Sequence, residues 1–365
     1  MIAGSDIRAE ALRLQAGFID AGAVVLETSI LQPADLLLDL YGEDIRARAY
    51  VTSDPLRGEQ MLRPDFTVPV VQMHMAEGAE PARYTYAGEV FRRQEDDMAR
   101  ANEYFQVGYE VFDRQNPAAA DAEVFVQIYT ALRGLSLRAA TGDIGILTAA
   151  VVGLHTTEAR KHALLRHIWR PKRFKALLEQ FSGRRLVPAS CSALLSAKTP
   201  FEIEAPMIGL RSRGAIKTRI NQLHHDALSD PLSNAEVDFL DAILQVRDRV
   251  PQALASLRNI ATQMPALTLA LTPALDRLEA RMAAVTARGI AVETLDFEAS
   301  YGRTSMEYYD GFVFGFYAEG RADLPPVALG GRYDALTLRL GQGREIPAVG
   351  GVIRPDLTLD LGAEV

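Results

Sequence analysis

Polar side chains alternate with apolar ones along the segment Tyr104–Phe112, and this alternation is the first sign of a binding site. Alternate side chains of a β-strand share a face, so Gln106, Gly108 and Glu110 lie on one side. The opposite, apolar side consists of Phe105, Val107, Tyr109 and Val111. An amide and a carboxylate on rigid backbone can bind an ammonium group or an imidazole, and Gly108 would let a ligand approach closely. The alternative is an edge strand whose polar face meets solvent.

A second polar face is predicted on the segment Met306–Tyr317. Strand parity places Glu307, Tyr309 and Gly311 together, whereas the opposite face carries aromatic side chains that are typical of a core. This pattern indicates the wall of a site. The alternative is a strand weakened by its glycines and covered by a helix.

The glycine-rich segment Leu329–Gly341 resembles a phosphate-binding loop only superficially. It lacks both GxGxxG and GxxxxGK[ST], the two patterns that cradle phosphates. Its glycines instead indicate a tight entry into a helix that carries Arg332 and Tyr333. We therefore expect no nucleotide loop in this segment.

The cysteine and histidine content argues against a metal centre. Cys191 is the only cysteine, which rules out an intrachain disulfide and fits a reducing cytoplasm. The six histidines form no ligand pattern such as HExxH, so we expect neither a metal nor a cofactor. Charged residues near the N-terminus interrupt any signal peptide, and no uncharged stretch reaches the ~18 residues of a membrane span. We expect a cytoplasmic protein that does not bind a membrane.

The net charge of −8 argues against a broad nucleic-acid surface, because such surfaces rest on clustered Lys and Arg. One basic cluster nevertheless exists, and it comprises Arg160, Lys161, Arg166, Arg170, Lys172, Arg173 and Lys175. It is either a solvated helical face or a contact for a phosphate-bearing ligand or an acidic partner.

The order of predicted elements favours an α+β fold on an antiparallel sheet, because hairpins occur without regular βαβ alternation. Residues 171–285 are predicted to be helical, and we interpret them as an insertion. Helices are predicted near residues 5–21, 34–40, 68–76, 119–137 and 159–181, and strands near 83–92, 104–112, 144–147, 290–297, 306–317, 326–329 and 349–353.

Six motifs resemble those of histidyl-tRNA synthetase, a class II aminoacyl-tRNA synthetase, in their order and rough spacing. They are LRPDFT (Leu62–Thr67), YAGEVFRRQ (Tyr86–Gln94), FQVGYEVF (Phe105–Phe112), MEYYDGFVF (Met306–Phe314), LGGRYDAL (Leu329–Leu336) and IPAVGG (Ile346–Gly351). The resemblance implies a class II core formed by residues 1–170 and 286–365. The helical insertion is expected at 171–285. Synthetases of that family continue past their last motif into an anticodon-binding domain, and we expect none here because this chain ends shortly after that motif.

The resemblance further implies a site for histidine. Asp65 and Thr67 match an acidic residue and a threonine that hold the histidine α-ammonium group in that family. Arg92 matches the motif 2 arginine that contacts the ATP α-phosphate and the amino-acid carboxylate.

Four more residues match the remainder of that histidine pocket. Gln106 and Glu110 match a glutamine and a glutamate around bound histidine, and strand parity independently places these two on one face. Tyr309 and Tyr333 match two tyrosines of the side-chain pocket. The two lines of reasoning therefore agree on the polar face of one strand.

The departures from the synthetase pattern concern adenylation and tRNA binding. Arg303 lies one position further from the paired tyrosines than the family's catalytic arginine, and Thr304 occupies the matching position. Arg354 comes about three residues earlier than the arginine that closes motif 3. The motif 2 loop contains three acidic residues, Glu95–Asp97, which would repel ATP phosphates and a tRNA acceptor stem.

This combination is similar to the synthetase paralogue that serves as regulatory subunit of ATP phosphoribosyltransferase. The resemblance implies a non-catalytic, histidine-sensing homodimer that assembles with a short-form catalytic subunit and does not bind tRNA. Two alternatives remain: an active histidyl-tRNA synthetase or free-standing histidine-activating ligase, and an assembly scaffold with a vestigial pocket.

Overall fold

The computed structural model describes residues 2–41, 48–94, 100–198, 209, 211–303 and 308–362. Its strands, in chain order, are β1 (Val24–Val25), β2 (Leu31–Pro33), β3 (Val51–Asp54), β4 (Gly58–Leu62), β5 (Ala82–Phe91), β6 (Glu103–Phe112), β7 (Leu137–Asp143), β8 (Arg247–Arg249), β9 (Asp296–Glu298), β10 (Phe312–Ala318), β11 (Ala328–Arg332) and β12 (Ala348–Ile353).

The strands form a main sheet in the order β1-β5-β6-β12-β11-β10-β7-β9-β8 and a small sheet in the order β2-β4-β3. Neighbours in the main sheet are antiparallel, except that β1 is parallel to β5 and β7 is parallel to β9. The predicted α+β fold on an antiparallel sheet is therefore confirmed.

Helices flank this sheet, and several begin where the sequence carries capping residues. Asn116 accepts a hydrogen bond from the Ala119 amide next to Pro117, and Ser233 forms a capping box with Glu236. The helices are α1 (Gly4–Asp20), α2 (Ala34–Tyr41), α3 (Thr67–Glu77), α4 (Pro117–Ala131), α5 (Ile144–Gly153), α6 (Glu158–Arg166), α7 (Pro171–Phe181), α8 (Ala189–Ser196), α9 (Arg213–Ala227), α10 (Asn234–Leu244), α11 (Val250–Thr262), α12 (Pro265–Thr286), α13 (Asp334–Leu340) and α14 (Pro355–Gly362).

Within residues 144–181, two local predictions were wrong for identifiable reasons. The apolar run at 144–147 is the start of α5 and not a strand, because Asp143 caps the helix by accepting the Gly145 amide. A short apolar run cannot distinguish the two by periodicity alone. The single helix predicted over 159–181 is two helices, since Pro171 starts α7 after a turn at Arg170.

Both faces of β6 are buried, and parity divides them as predicted. Tyr109 packs against Phe18 of α1 with ring centroids 5.2 Å apart and donates to Glu123 of α4 at 2.6 Å. Glu110 points the other way, toward Thr67 at the start of α3. The edge-strand alternative is wrong, because β6 pairs with β5 on one side and β12 on the other.

The helical region at 171–285 is uneven in burial. Within α8 no residue is buried and within α9 only Ile220 is buried, whereas α12 packs along α4 and α5. Strand β8 lies in this stretch of sequence and pairs with β9 of the main sheet. The division of the chain into core and insertion stays a prediction. Among the described residues, no helix has the length and apolar character to cross a membrane.

Candidate functional site

Glu110 is the centre of a buried hydrogen-bond network. Its side chain is 1% exposed, and three hydroxyl groups donate to its carboxylate. Thr67 Oγ1 and Tyr86 Oη donate to Oε1 at 3.2 and 2.8 Å, and Tyr333 Oη donates to Oε2 at 2.5 Å. No lysine or arginine in the described part of the chain forms an ion pair with this carboxylate. A buried negative charge without a cation favours a ligand that brings a positive or strongly donating group.

Burial raises the pKa of Glu110 to about 7, although the hydroxyl donors of Tyr333, Tyr86 and Thr67 oppose that shift. The same burial, together with the nearby Glu110 charge, raises the pKa of Tyr333 and of Tyr86. Both phenols therefore stay protonated and remain donors to the carboxylate. With a pKa of about 7, the Glu110 carboxyl group is only partly ionised at neutral pH.

Two glycines make room for this network. Gly350 of β12 is the direct partner of Glu110 in the sheet, and a Cβ there would lie 1.4 Å from the Glu110 Oε2 atom. A Cβ on Gly108 would lie 2.0 Å from Cζ of Tyr86, whose ring stacks on Phe66 at 4.3 Å. The interpretation of Gly108 as a place for ligand approach was wrong, because the Tyr86 ring occupies that space.

Gln106 lies on the same face of β6, four residues before Glu110. Its side chain is 3% exposed, and its Oε1 atom is buried without a hydrogen-bond partner in the described structure. An unsatisfied buried carbonyl costs about 1–3 kcal/mol, so a ligand that donates to it would recover that free energy. Gln106 also borders a cavity of about 320 Å³ whose wall includes Arg92.

The cavity beside Gln106 is strongly cationic. Its charged lining, among the described residues, consists of Arg48, Arg92, Arg93, Arg100 and Arg354. Arg92 Nε donates to the Pro64 carbonyl at 2.7 Å, which fixes this side chain against the segment that precedes α3. Arg354 lies over the Tyr104 ring at 4.2 Å and pairs with Asp356 at 2.8 Å. The cavity is therefore suited to a negatively charged group such as a carboxylate.

Asp65 and Thr67 lie at the start of α3, and this end of the helix forms one wall of the site. Asp65 Oδ1 accepts a hydrogen bond from the Val68 amide at 3.4 Å, and its side chain is buried. Thr67 donates to Glu110 and accepts from Tyr308 Oη at 3.4 Å. The start of the helix thereby places a second carboxylate near Glu110, and that charge adds to the raised pKa of Glu110.

Tyr309 reaches the site from a loop and not from a strand, because β10 begins only at Phe312. The strand predicted over 306–317 was wrong in its first part, and Glu307 lies outside the described residues. The buried Tyr309 ring packs over Gly331, and its carbonyl accepts Trp169 Nε1 at 3.0 Å. Burial first, and then the Glu110 charge, raise the pKa of Tyr309.

The structure thus joins Thr67, Glu110 and Tyr333 by direct hydrogen bonds. Asp65 lies two residues before Thr67, and Arg92 donates to the Pro64 carbonyl beside it. Gln106 lies on the Glu110 face of β6, and the Tyr309 ring packs over Gly331. Sequence reasoning missed Tyr86, Tyr308 and Trp169. Tyr86 could have been found from hairpin register, since it pairs with Gly108 and therefore points to the same polar face.

Comparisons with known proteins show the family of this chain. A family model described as histidyl-tRNA synthetase matches residues 9–225 and 217–356. A curated ATP phosphoribosyltransferase regulatory subunit from Brucella anthropi is 30% identical and covers 90% of this chain and 90% of its own length. Its counterpart from Mesorhizobium japonicum is 31% identical and covers 89% and 90%.

The chain belongs to the histidyl-tRNA synthetase family, in its branch of ATP phosphoribosyltransferase regulatory subunits. Solved structures support the same fold. An ATP phosphoribosyltransferase regulatory subunit/histidyl-tRNA synthetase from Bacillus halodurans has a TM-score of 0.68 at 21% identity, covering 98% of this chain and 79% of that one. A histidine–tRNA ligase subunit from Alicyclobacillus acidocaldarius has a TM-score of 0.59 at 22% identity, covering 100% and 96%.

Arg303 shows how this member of the synthetase family departs from the synthetase pattern. Its Nε donates to the Ile168 carbonyl at 2.7 Å, and its guanidinium lies 4.8 Å from the Phe174 ring centroid. Burial lowers the pKa of Arg303 to about 10. The guanidinium is thus bound to the helical region around α6 and α7. The sequence also departs from the synthetase pattern at Thr304 and in the acidic loop Glu95–Asp97, and both lie outside the described residues.

The raised pKa of Glu110 predicts a pH-dependent stability. A carboxyl group whose folded-state pKa exceeds its unfolded value of 4.5 destabilises the fold as pH rises from about 4.5 through about 7. Glu110→Gln removes that ionisation. Relative to the wild type, its free energy of unfolding should therefore increase with pH by roughly 3 kcal/mol across this window.

Urea unfolding between pH 5 and pH 8, without histidine, measures this difference. Glu293→Gln, at an exposed position, is the matched control. A difference between Glu110→Gln and the wild type that does not change with pH would contradict the raised pKa.

Proposed function

We propose that this chain is the histidine-sensing regulatory subunit of a cytoplasmic ATP phosphoribosyltransferase, the enzyme of the first step of histidine biosynthesis. One observation carries the proposal: a fully buried Glu110 carboxylate that is held by three hydroxyl donors and forms no ion pair with any Lys or Arg among the described residues. Such a group favours a ligand with a strong N–H donor, and an imidazole has one. The relatives named as regulatory subunits support the assignment.

In this proposal each part of histidine has a matching group in the site. The imidazole N–H donates to Glu110, with Tyr333 and Tyr309 forming the walls of its pocket. The α-ammonium group is held by Asp65 and by the unsatisfied oxygen of Gln106, together with Thr67. The carboxylate lies toward Arg92 in the cationic cavity. These positions rest on the matched motifs and on the charges of the surrounding side chains.

The chain itself performs no chemistry in this proposal. Arg303, which stands nearest to the position of the family's catalytic arginine, is engaged by Ile168 and Phe174. The displacement of pyrophosphate from phosphoribosyl pyrophosphate by ATP belongs to a short-form catalytic subunit, the expected partner. Histidine bound at Glu110 then shifts the activity of that subunit through the complex, as coupling between two sites requires.

Histidine calorimetry and an ATP–pyrophosphate exchange assay on the purified chain test this function. We expect saturable binding of histidine, no histidine-dependent exchange and no charging of tRNA. Exchange or charging would instead support an active synthetase or a histidine-activating ligase. Absence of histidine binding would support an assembly scaffold with a vestigial pocket.

We also expect a homodimer, formed through the region Gly22–Pro33. Exposed apolar side chains cluster there and on the preceding helix α1, and such a patch marks a protein interface. They include Leu12, Ile19, Val24, Val25, Ile30 and Leu31, with exposures from 42% to 63%.

Val24→Glu should convert the dimer to a monomer, because it places a charge in the apolar interface. Leu269→Glu, at an 84% exposed position on α12, is the control and should remain dimeric. Light scattering at micromolar concentration measures both variants. A monodisperse monomer of the wild type would contradict the expectation.

A further inference from the structure

The segment 158–185 is strongly basic within an acidic protein. It contains nine Lys or Arg residues and two Glu residues, a net charge of +7, so the remaining chain carries −15. The segment forms helices α6 and α7 and the turn between them. A concentration of one sign of charge on a chain of the opposite sign creates a local field that attracts an acidic partner.

Ion pairs within the chain neutralise only part of this positive charge. Arg160 is buried and pairs with Asp226, Lys161 pairs with Glu158, and Arg184 pairs with Asp238. The exposed residues Arg166, Lys172, Arg173 and Lys175 form no ion pair with any carboxylate in the described ranges. We call these four, together with Arg170, the basic turn. The interpretation of the whole cluster as one surface was therefore too broad, because Arg160 belongs to the interior.

The basic turn is held rigidly. Helix α7 buries four apolar side chains, Phe174, Leu177, Leu178 and Phe181, and thereby turns its charged side to solvent. Burial lowers the pKa of His167, and the positive charges of Arg173, Arg170 and Arg166 lower it further. Cations fixed in this way repel one another, and an incoming anionic group relieves that repulsion.

The same turn is bonded directly to the histidine site. Trp169 Nε1 donates to the carbonyl of Tyr309, which lies in the wall of the site. Arg303, six residues before Tyr309, donates to the Ile168 carbonyl and stacks on Phe174 of α7. Residues 168, 169 and 174 therefore connect the basic turn to the loop that carries Tyr309, with no other element between them.

We propose that the basic turn is the docking surface for an acidic face of the catalytic subunit, and that Trp169 links this surface to the histidine site. The inference rests on the proposed function and adds to it the surface and the chemistry of the contact. A protein partner is favoured over nucleic acid for an electrostatic reason. The basic turn spans few residues, and the −15 on the remaining chain repels an extended polyanion.

The double variant Arg166→Glu/Arg173→Glu tests the surface in the full chain, with Arg133→Glu/Arg339→Glu as control at exposed arginines elsewhere. The affinity for the short-form catalytic subunit from the same organism is measured at several NaCl concentrations, from about 50 to about 300 mM. The double variant should bind at least roughly ten-fold more weakly, with a shallower salt dependence, and the control should match the wild type. If the double variant does not fold, Lys172→Glu/Lys175→Glu on the solvent side of α7 replaces it.

The outcomes separate the two proposals. A wild type that does not bind the catalytic subunit under any of these conditions contradicts the proposed function itself. A wild type that binds, with a double variant that binds equally well, overturns only the docking surface. Bulk tRNA is titrated in parallel, and binding of tRNA that the double variant loses would assign the basic turn to nucleic acid and overturn the protein contact.

The link is tested with Trp169→Phe, which removes the Nε1–H donor and keeps an aromatic ring. In the complex, the half-inhibiting concentration of histidine should rise several-fold. Direct histidine binding to the isolated chain should change less, because no contact to the ligand is removed. An unchanged histidine response in the complex would show that Trp169 does not transmit the signal.

Discussion

Replacing Glu110 with alanine is expected to weaken histidine binding by about 2–5 kcal/mol, or some 30-fold to several thousand-fold in affinity. The carboxylate is buried, and the hydroxyls of Thr67, Tyr86 and Tyr333 hold it in place. Its removal leaves the imidazole N–H of the ligand unpaired in a dry site. Three buried hydroxyls lose their acceptor in the same step.

Gln106→Ala is expected to cost less, roughly 1–3 kcal/mol, because it removes a neutral partner. Calorimetry with histidine measures both variants, and Glu293→Ala, at an exposed glutamate, is the control. In the complex both pocket variants should relax inhibition by histidine and leave uninhibited turnover largely intact. If Glu110→Ala folds normally and the complex stays fully sensitive to histidine, this pocket is not the regulatory site.

Gly350→Ala should have a comparably large effect without changing any group that contacts histidine. The new Cβ would lie 1.4 Å from the Glu110 Oε2 atom, so the carboxylate must move and its bond from Tyr333 must break. Overpacking of this kind costs typically about 1–3 kcal/mol of stability. Because the carboxylate is displaced, we also expect the affinity for histidine to fall about as far as in Glu110→Ala.

Gly17→Ala is the matched control for this variant. Gly17 lies on the exposed side of helix α1, and a Cβ there meets no atom within 4 Å. Alanine in the interior of a helix is favoured over glycine, so this variant should be as stable as the wild type or slightly more stable. If Gly350→Ala binds histidine like Gly17→Ala does, Glu110 does not hold the ligand in the orientation described here.

The antiparallel fold and the polar face of β6 could be predicted because both depend on local pattern. Strand parity alone placed Gln106 and Glu110 on one face, since side chains separated by an even number of residues in a strand share a face. It could not show that this face is buried, because burial depends on α3 and Tyr333, which come from distant parts of the chain. Strand parity also could not show that the Tyr86 ring fills the space beside Gly108, because that contact depends on the register between β5 and β6.

The predictions that failed concern elements whose limits are set by tertiary contacts. Tyr309 was assigned to a strand by parity, yet β10 begins at Phe312, opposite Asp143 of β7. The loop before it is held by the side chain of Trp169, a long-range contact that periodicity does not report. The same limitation applies to Arg303, because sequence spacing showed that it was displaced but not that Ile168 and Phe174 bind it.

The measurement that tests the central claim most directly is the turnover of the short-form catalytic subunit with ATP and phosphoribosyl pyrophosphate. It is made with the subunit alone, with this chain added, and with this chain and histidine together. We predict that the chain raises turnover and that histidine then lowers it, whereas histidine loses this effect when the chain carries Glu110→Ala. Turnover that is unchanged by the chain, or inhibition by histidine that is equal for the wild type and Glu110→Ala, would contradict the account.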